Sequence, residues 1–196
     1  MSMGWHLYEF DRSVFDAIFM GEDPQAVTLI KAALADPDEF DLPDLELADE
    51  MVENVCQNGF DFDDQDEDEL DVLDCLITAL FKSDQLATRL HVRPLTRVPL
   101  SPELIQAIAP ISDSTEAGKV YHAMLDGGRR VGQKDSSWCE YIIWDPIEAD
   151  GVLQDARKLV ESRTDSDEMT THAEAALIEP LESRSSTEVG IVCFGS

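Results

Sequence analysis

Basic residues are scarce in this chain, and that scarcity is the strongest feature of its sequence. Of 196 residues, 14 are Lys or Arg and 42 are Asp or Glu, which gives a formal net charge of −28. Such a field repels nucleic-acid backbones and acidic membrane surfaces, so we expect direct binding to neither.

Long apolar runs and targeting signals are also missing. No segment approaches the roughly 18 consecutive apolar residues of a membrane span. Residues 1–11 have neither the basic n-region nor the apolar h-region of a signal peptide. The expected location is therefore the cytoplasm.

Cysteine is too sparse and too scattered to form a recognisable framework. The four cysteines stand far apart in apolar runs and none belongs to a CxxC pair; they are Cys56, Cys75, Cys139 and Cys193. A chain of this length can bury a substantial core without disulfides. The spacing favours buried thiols.

Recognisable motifs for catalysis, metal binding or phosphate binding are absent. There is no GxSxG elbow, and the segment GGRRVGQK lacks the setting of a phosphate loop. A calcium loop starting at Asp64 would need glycine sixth and glutamate twelfth, where the chain has Glu69 and Cys75. No two of the four histidines have i,i+4 spacing. We therefore predict no metal site, no cofactor and no enzymatic activity.

The charge is present mostly in one part of the chain. The acidic half, about residues 1–88, holds 24 Asp and Glu but only three basic residues, Arg12, Lys31 and Lys82. The less acidic half with arginines, about 89–196, holds 18 acidic and 11 basic residues. Salt adaptation would spread the acids evenly, whereas a localised field speeds association with a cationic protein.

The densest acidic stretch is the predicted contact with that partner. It comprises Asp61, Asp63, Asp64, Asp66, Glu67, Asp68 and Glu69, with Phe60 and Phe62 as aromatic anchors. Its last acids also complement the dipole of the helix that follows, so part of the stretch has a structural reason. The predicted function is a protein-binding module, an immunity or inhibitor protein for a basic, nuclease-like partner, acting as a monomer or homodimer.

Two other hypotheses stay open. One is an enzyme with a ligand pocket near the strand 138–144, using Glu140 with Arg129 or Arg130. Against it, Glu140 could pair with an arginine such as Arg93, and the loop cations could dock on the protein's own acids. Cys139 with His122 or His172 is a further thiol combination, although its apolar surroundings favour a core position. The other hypothesis is a salt-adapted protein without a charge-directed partner.

The hydrophobic patterning predicts an α+β fold, a helix-rich single domain over residues 1–196 around a small mixed or antiparallel sheet. Strands are predicted at 5–10, 138–144 (a central strand) and 188–194. Residues 89–100 should be extended, with Ser101 capping a helix that starts at Pro102. The other predicted helices cover 12–20, 23–35, 47–58, 70–81, 115–126, 146–162 and 172–179.

The two ends of the chain carry a family resemblance. The opening MSMGWHLYEFD and the closing GIVCF resemble small bacterial proteins of the YfbM-like type, whose activity is unknown. The resemblance implies a bacterial, cytosolic protein. It covers about 20 residues and implies no site residue.

Overall fold

A computed structural model describes residues 4–36, 40, 42, 44–59, 67–125, 141–163 and 167–195. The chain forms two compact units. We call residues 11–92 the acidic unit, and residues 1–10 together with 93–196 the sheet unit. The boundary near residue 92 lies close to the end of the acidic half predicted from charge at residue 88.

The sheet unit is built on a four-stranded antiparallel sheet. Its strands are β1 (Trp5–Phe10), β2 (Arg93–Pro94), β3 (Tyr141–Trp144) and β4 (Gly190–Gly195), in the order β2-β1-β4-β3. In register, Tyr8 faces Pro94 across β1 and β2, and Phe10 faces Gly190 across β1 and β4. The prediction of a helix-rich α+β fold with a small antiparallel sheet is confirmed.

Helices and turns of the sheet unit cover the sheet. They are α6 (Pro102–Ile108), a 3₁₀ turn (Ala109–Ile111), α7 (Thr115–Leu125), α8 (Pro146–Ser162), α9 (Glu168–Ala173), a π-helical turn (Glu174–Ile178) and α10 (Glu179–Glu182). Trp5, Ile142 and Trp144 are buried in the resulting core with apolar residues of α6, α7 and α8.

The described residues of the acidic unit form five helices. These are α1 (Arg12–Phe19), α2 (Pro24–Leu34), α3 (Leu45–Asn58), α4 (Glu67–Lys82) and α5 (Asp84–Arg89). Side chains of α4 are described at Glu69 and from Val72 onward. The ring of Phe15 lies 4.7 Å from that of Phe19 and 6.0 Å from that of Phe81, which links α1 to α4.

Several helix ends predicted from the sequence have capping interactions in the structure. Ser101 accepts a hydrogen bond from the Leu104 amide at 3.3 Å, and the Glu148 carboxylate accepts one from the Asp145 amide at 2.8 Å. Helix α3 ends at Asn58 and is capped by Gly59, whose φ of 77° favours glycine. These interactions are local, which is why the sequence pattern revealed them.

The prediction of a central strand at 138–144 was wrong for its described part. β3 lies at the end of the described sheet, and β1 and β4 form its centre. All four β3 residues are nevertheless buried, because α7 and α8 pack against the strand. An edge strand covered by helices therefore has the same doubly apolar sequence as a central one.

Two helical segments differ from the prediction. Helix α5 was not predicted, and its last residue, Arg89, falls in the stretch expected to be extended. Helix α9 begins at Glu168, earlier than predicted, because Asp167 caps it by accepting from the Thr170 amide at 2.8 Å.

The π-helical turn precedes Pro180, which has no N–H to donate to the turn before it.

No described helix combines the length and the apolar character that crossing a bilayer requires.

The close approach of β1 and β4 gives a testable prediction. A Cβ added at Gly190 would lie 2.3 Å from the buried ring of Phe10, whereas one added at Gly118 in α7 would meet nothing within 4 Å. We expect Gly190→Ala to lower the free energy of unfolding by about 1–3 kcal/mol through overpacking. The matched change Gly118→Ala should raise it by about 0.5–1 kcal/mol, since alanine is the better helix former. Urea unfolding of both variants measures the difference, and equal effects would contradict the prediction.

Candidate functional site

Helix α3 carries the most continuous acidic surface among the described residues. Glu46, Asp49, Glu50 and Glu53 recur at i, i+3, i+4 and i+7, and all four side chains are exposed. We call them the α3 acidic stripe. The opposite face of the helix is buried through Ala48, Met51, Val52, Val55 and Cys56. The stripe is about 10 Å long at 1.5 Å per residue.

Only part of this stripe has a local structural reason. Asp44 caps α3 by accepting from the Glu46 and Leu47 amides at 2.9 and 3.1 Å, and Glu46 in the first turn complements the helix dipole. Like charges at i,i+4 destabilise an isolated helix by about 0.2–0.5 kcal/mol per pair. Helix α3 has two such pairs, Glu46 with Glu50 and Asp49 with Glu53, and no basic residue of its own.

Lys31 of α2 partly neutralises the C-terminal end of the stripe. Its Nζ donates to Glu53 Oε1 at 2.6 Å and lies 3.6 Å from Asp49 Oδ2. The hydrogen bond to Glu53 raises the pKa of Lys31 above its ordinary value. Within the described part of the chain, no basic side chain pairs with Glu46 or Glu50. The stripe thus keeps a net negative charge.

The other cations of the acidic unit also have partners. Arg12 Nε lies 2.8 Å from Asp16 Oδ1, and Arg89 donates to both carboxylate oxygens of Asp23, at 2.6 and 2.7 Å. The unit contains 23 acidic and four basic residues. Four cations cannot neutralise 23 carboxylates, so its surface is acidic whatever the local pairing.

Cations of the sheet unit are engaged within that unit as well. Six of its seven described Lys and Arg residues form ion pairs there: Arg93–Glu9, Lys119–Glu116, Arg157–Glu182, Lys158–Asp155, Arg163–Asp167 and Arg184–Asp150. The sheet unit thus uses most of its described cations on its own carboxylates.

Three described carboxylates of the sheet unit are buried: Glu9, Glu148 and Asp155. Glu148 accepts from the Asp145 amide at the start of α8. Asp155 accepts from the Tyr121 hydroxyl at 3.3 Å and from Lys158 Nζ at 3.0 Å. Glu9 pairs with Arg93 at 2.8 Å and accepts from the Ser185 amide at 2.9 Å. Burial raises the pKa of the Tyr121 phenol, which keeps it protonated and donating to Asp155. These hydrogen bonds and ion pairs connect segments of the sheet unit.

An open cavity of about 490 Å³ lies in the sheet unit beside α6 and α9. Its lining is Ser101, Glu103, Asp167, Glu168, Met169 and His172. Ser101 and Asp167 are occupied as helix caps, and His172 Nε2 lies 2.9 Å from the Pro99 carbonyl oxygen, so this nitrogen carries the hydrogen. These hydrogen bonds serve the fold and do not assemble a nucleophile with its base.

Most of the partner-contact residues predicted from the sequence lie outside the described residues. This holds for Phe60, Asp61, Phe62, Asp63, Asp64 and Asp66. Glu67 and Asp68 are described only as backbone of the first turn of α4, and Glu69 is half-buried there. The contact predicted at 60–69 therefore stays a prediction.

The residues of the enzyme hypothesis lie outside the description too. Arg129, Arg130, Cys139 and Glu140 are not among the described residues, so the pocket proposed near residues 138–144 stays a prediction. The thiols of Cys56 and Cys193 are buried, as predicted, whereas Cys75, predicted to be buried too, is only half-buried. Burial raises the pKa of the Cys56 thiol to about 11 and that of Cys193 well above its usual value, so neither is a ready nucleophile.

Within the described ranges, no group of three or more His, Cys, Asp or Glu side chains is arranged to hold a metal ion.

The α3 acidic stripe was not among the contact residues predicted from the sequence. The run at 61–71 is denser in acids, and residues 47–58 were predicted only as an amphipathic helix. The sequence does contain a signal for the stripe. The acids at 46, 49, 50 and 53 have the same helical spacing as the apolar residues on the opposite face of the helix.

Comparison of the chain with protein-family models, with curated proteins and with solved structures found no match. The resemblance to YfbM-like proteins therefore stays a prediction, and function has to be argued from this chain's own residues.

The ion pair between Asp23 and Arg89 yields a pH-dependent prediction. Hydrogen bonds from Arg89 hold the pKa of Asp23 below its ordinary value of 3.8. A lowered pKa contributes stability above the ordinary value, and this stability is lost as the pH falls through the folded-state value. Asp23→Asn keeps a capping oxygen for the Ala26 amide but removes the charge, so we expect a loss of about 1–2 kcal/mol at pH 7 that vanishes at the lowest pH.

Urea unfolding followed by circular dichroism between pH 2 and 7 measures this effect. Glu22→Gln, a change at the exposed neighbouring acid, should alter stability by less than about 0.5 kcal/mol throughout. The interpretation of the ion pair is wrong if Asp23→Asn and the wild type lose stability in parallel as the pH falls.

Proposed function

We propose that this chain is an acidic protein-binding module whose acidic unit captures a cationic protein, as an immunity or inhibitor protein does with a basic, nuclease-like partner. The observation that carries the proposal is the exposed α3 acidic stripe in a unit with 23 acidic and four basic residues. In this proposal the run at 61–69 extends the acidic contact.

Electrostatics supports this partner class over others. A surface dominated by one sign of charge raises the rate of encounter with the opposite sign and disfavours like-charged partners. Lys31, Arg12 and Arg89 are each paired with carboxylates of the same unit, so they do not offset the surplus elsewhere on its surface.

Exposed apolar side chains of the acidic unit would add a packing component to such a contact. Leu45, at the start of α3, is 52% exposed, and Met20, after α1, is 66% exposed. Both belong to the acidic unit. Buried apolar anchors contribute most of the binding energy in typical protein interfaces, whereas charges at the rim mainly set the association rate.

The stripe can be tested with a charge-matched pair of variants. Glu46→Gln, Asp49→Asn and Glu50→Gln together remove three charges and leave the Lys31–Glu53 pair intact. The control, Glu103→Gln, Glu161→Gln and Glu174→Gln, removes three exposed charges from the sheet unit. We expect the stripe variant to associate about five- to tenfold more slowly with a cationic nuclease at low salt and with a shallower salt dependence.

Stopped-flow association kinetics with a cationic nuclease, and with protamine as a generic polycation, provides the measurement. A third variant, with Asp61, Asp63, Asp64 and Asp66 changed to Asn, tests the contact predicted from the sequence in the same way. The proposal fails if all three variants associate like the wild type, or if the sheet-unit control slows association as much as the stripe variant.

A further inference from the structure

The acidic unit is inserted between two paired strands of the sheet unit. Strand β1 ends at Phe10 and β2 begins at Arg93, so the 82 residues between them form the whole acidic unit. These strands are antiparallel neighbours, with Glu9 opposite Arg93. A short turn would be enough to join such strands, so the sheet unit needs none of the inserted residues to form this pair.

The two ends of the insertion are held together inside the acidic unit. The Asp11 amide donates to the Leu90 carbonyl at 2.8 Å, and the Val92 amide donates to the Ala87 carbonyl at 2.8 Å. His91 has a φ of 52°, which turns the chain after α5. The first and last residues of the insertion are therefore held close together by hydrogen bonds within the acidic unit.

The acidic unit also has a buried apolar interior, and repulsion among its surplus carboxylates lowers its stability. Side chains from all five of its helices are fully or almost fully buried, among them Ile18, Ile30, Val52, Leu76 and Leu86. A compact unit of 82 residues has a radius of gyration of about 12 Å. The Debye length is about 30 Å at 10 mM salt and about 3 Å at 1 M, so at low salt each surplus carboxylate repels nearly every other.

We infer that residues 11–92 are a separately unfolding module whose stability depends on ionic strength, inserted into a sheet unit that stays folded without it. Its net charge is −19, against −9 for the longer remainder of the chain. Screening or cation binding therefore stabilises the insert selectively. This inference holds whether or not the proposed partner exists, because it depends only on charge and connectivity.

The chain carries convenient reporters for the two units. All three tryptophans (Trp5, Trp138, Trp144) and all three tyrosines (Tyr8, Tyr121, Tyr141) belong to the sheet unit. Tryptophan emission therefore reports the sheet unit alone, and peptide-resolved amide hydrogen exchange reports both.

The first experiment compares hydrogen exchange of the full chain at 10 mM and 500 mM NaCl. We expect exchange in peptides from 11–92 to slow by about tenfold or more at high salt, and exchange in the sheet unit to change by less than about twofold. Parallel changes in both units, or no change in either, would overturn the inference.

The second experiment uses matched core variants of the full chain. Ile30 in α2 and Ile142 in β3 are both completely buried. Ile30→Val should speed exchange by about two- to tenfold in the acidic unit only, with unchanged tryptophan emission, and Ile142→Val should do so in the sheet unit only. If either variant speeds exchange equally in both units, the chain unfolds as one body and the inference is wrong.

The charge variants complete the test. The stripe variant, in which Glu46, Asp49 and Glu50 are neutralised, should show a smaller effect of salt on hydrogen exchange in the acidic unit. The sheet-unit control should leave this salt response unchanged. An unchanged salt response in the stripe variant would overturn the electrostatic part of the inference. If the wild-type chain fails to associate with the cationic nuclease or with protamine while its acidic unit still responds to salt, only the proposed function is overturned.

Discussion

Repulsion among carboxylates is the constraint that the rest of this structure has to satisfy. The acidic unit contains 23 acidic and four basic side chains, and apolar packing of its described helices has to offset the resulting repulsion. Helix α3 shows the solution in one element. One face is buried through Ala48, Met51, Val52 and Val55, and the opposite face holds four carboxylates in water, where the dielectric constant weakens their repulsion.

The few cations are used where they connect segments. Arg89 joins α5 to the start of α2 through Asp23, and Lys31 joins α2 to α3 through Glu53. In the sheet unit, Arg93 pairs with the buried Glu9, and Lys158 pairs with the buried Asp155. Since these cations serve as internal ties, the carboxylates left over determine the character of the surface. Because the cations are used in these internal pairs, the surplus of acidic residues in the composition appears as negative charge on the surface of the folded chain.

Local patterns accounted for most of the secondary structure. Helical spacing of apolar residues and capping signals such as Ser101-Pro102 and Asp145 with Glu148 predicted most described helices within a few residues. Patterns failed where the decisive contact is not local or the element is short. Helix α5 has six residues, too few for a clear period, and β3 has a fully apolar sequence because helices cover an edge strand. The α3 acidic stripe was readable from spacing but was obscured by the denser run at 61–71.

The sequence alone determined the sign of the field, its concentration in the first part of the chain and the helix-rich α+β class, because charge and hydrophobic periodicity are properties of residues and their spacing. Only the tertiary structure decided which carboxylates are tied to cations and which are exposed, because pairs such as Arg89 with Asp23 join residues 66 positions apart. It also decided that the acidic helices are an insertion between two neighbouring strands. That depends on which strands pair, and strand pairing is set by contacts between β1, β2 and β4 that no local pattern encodes.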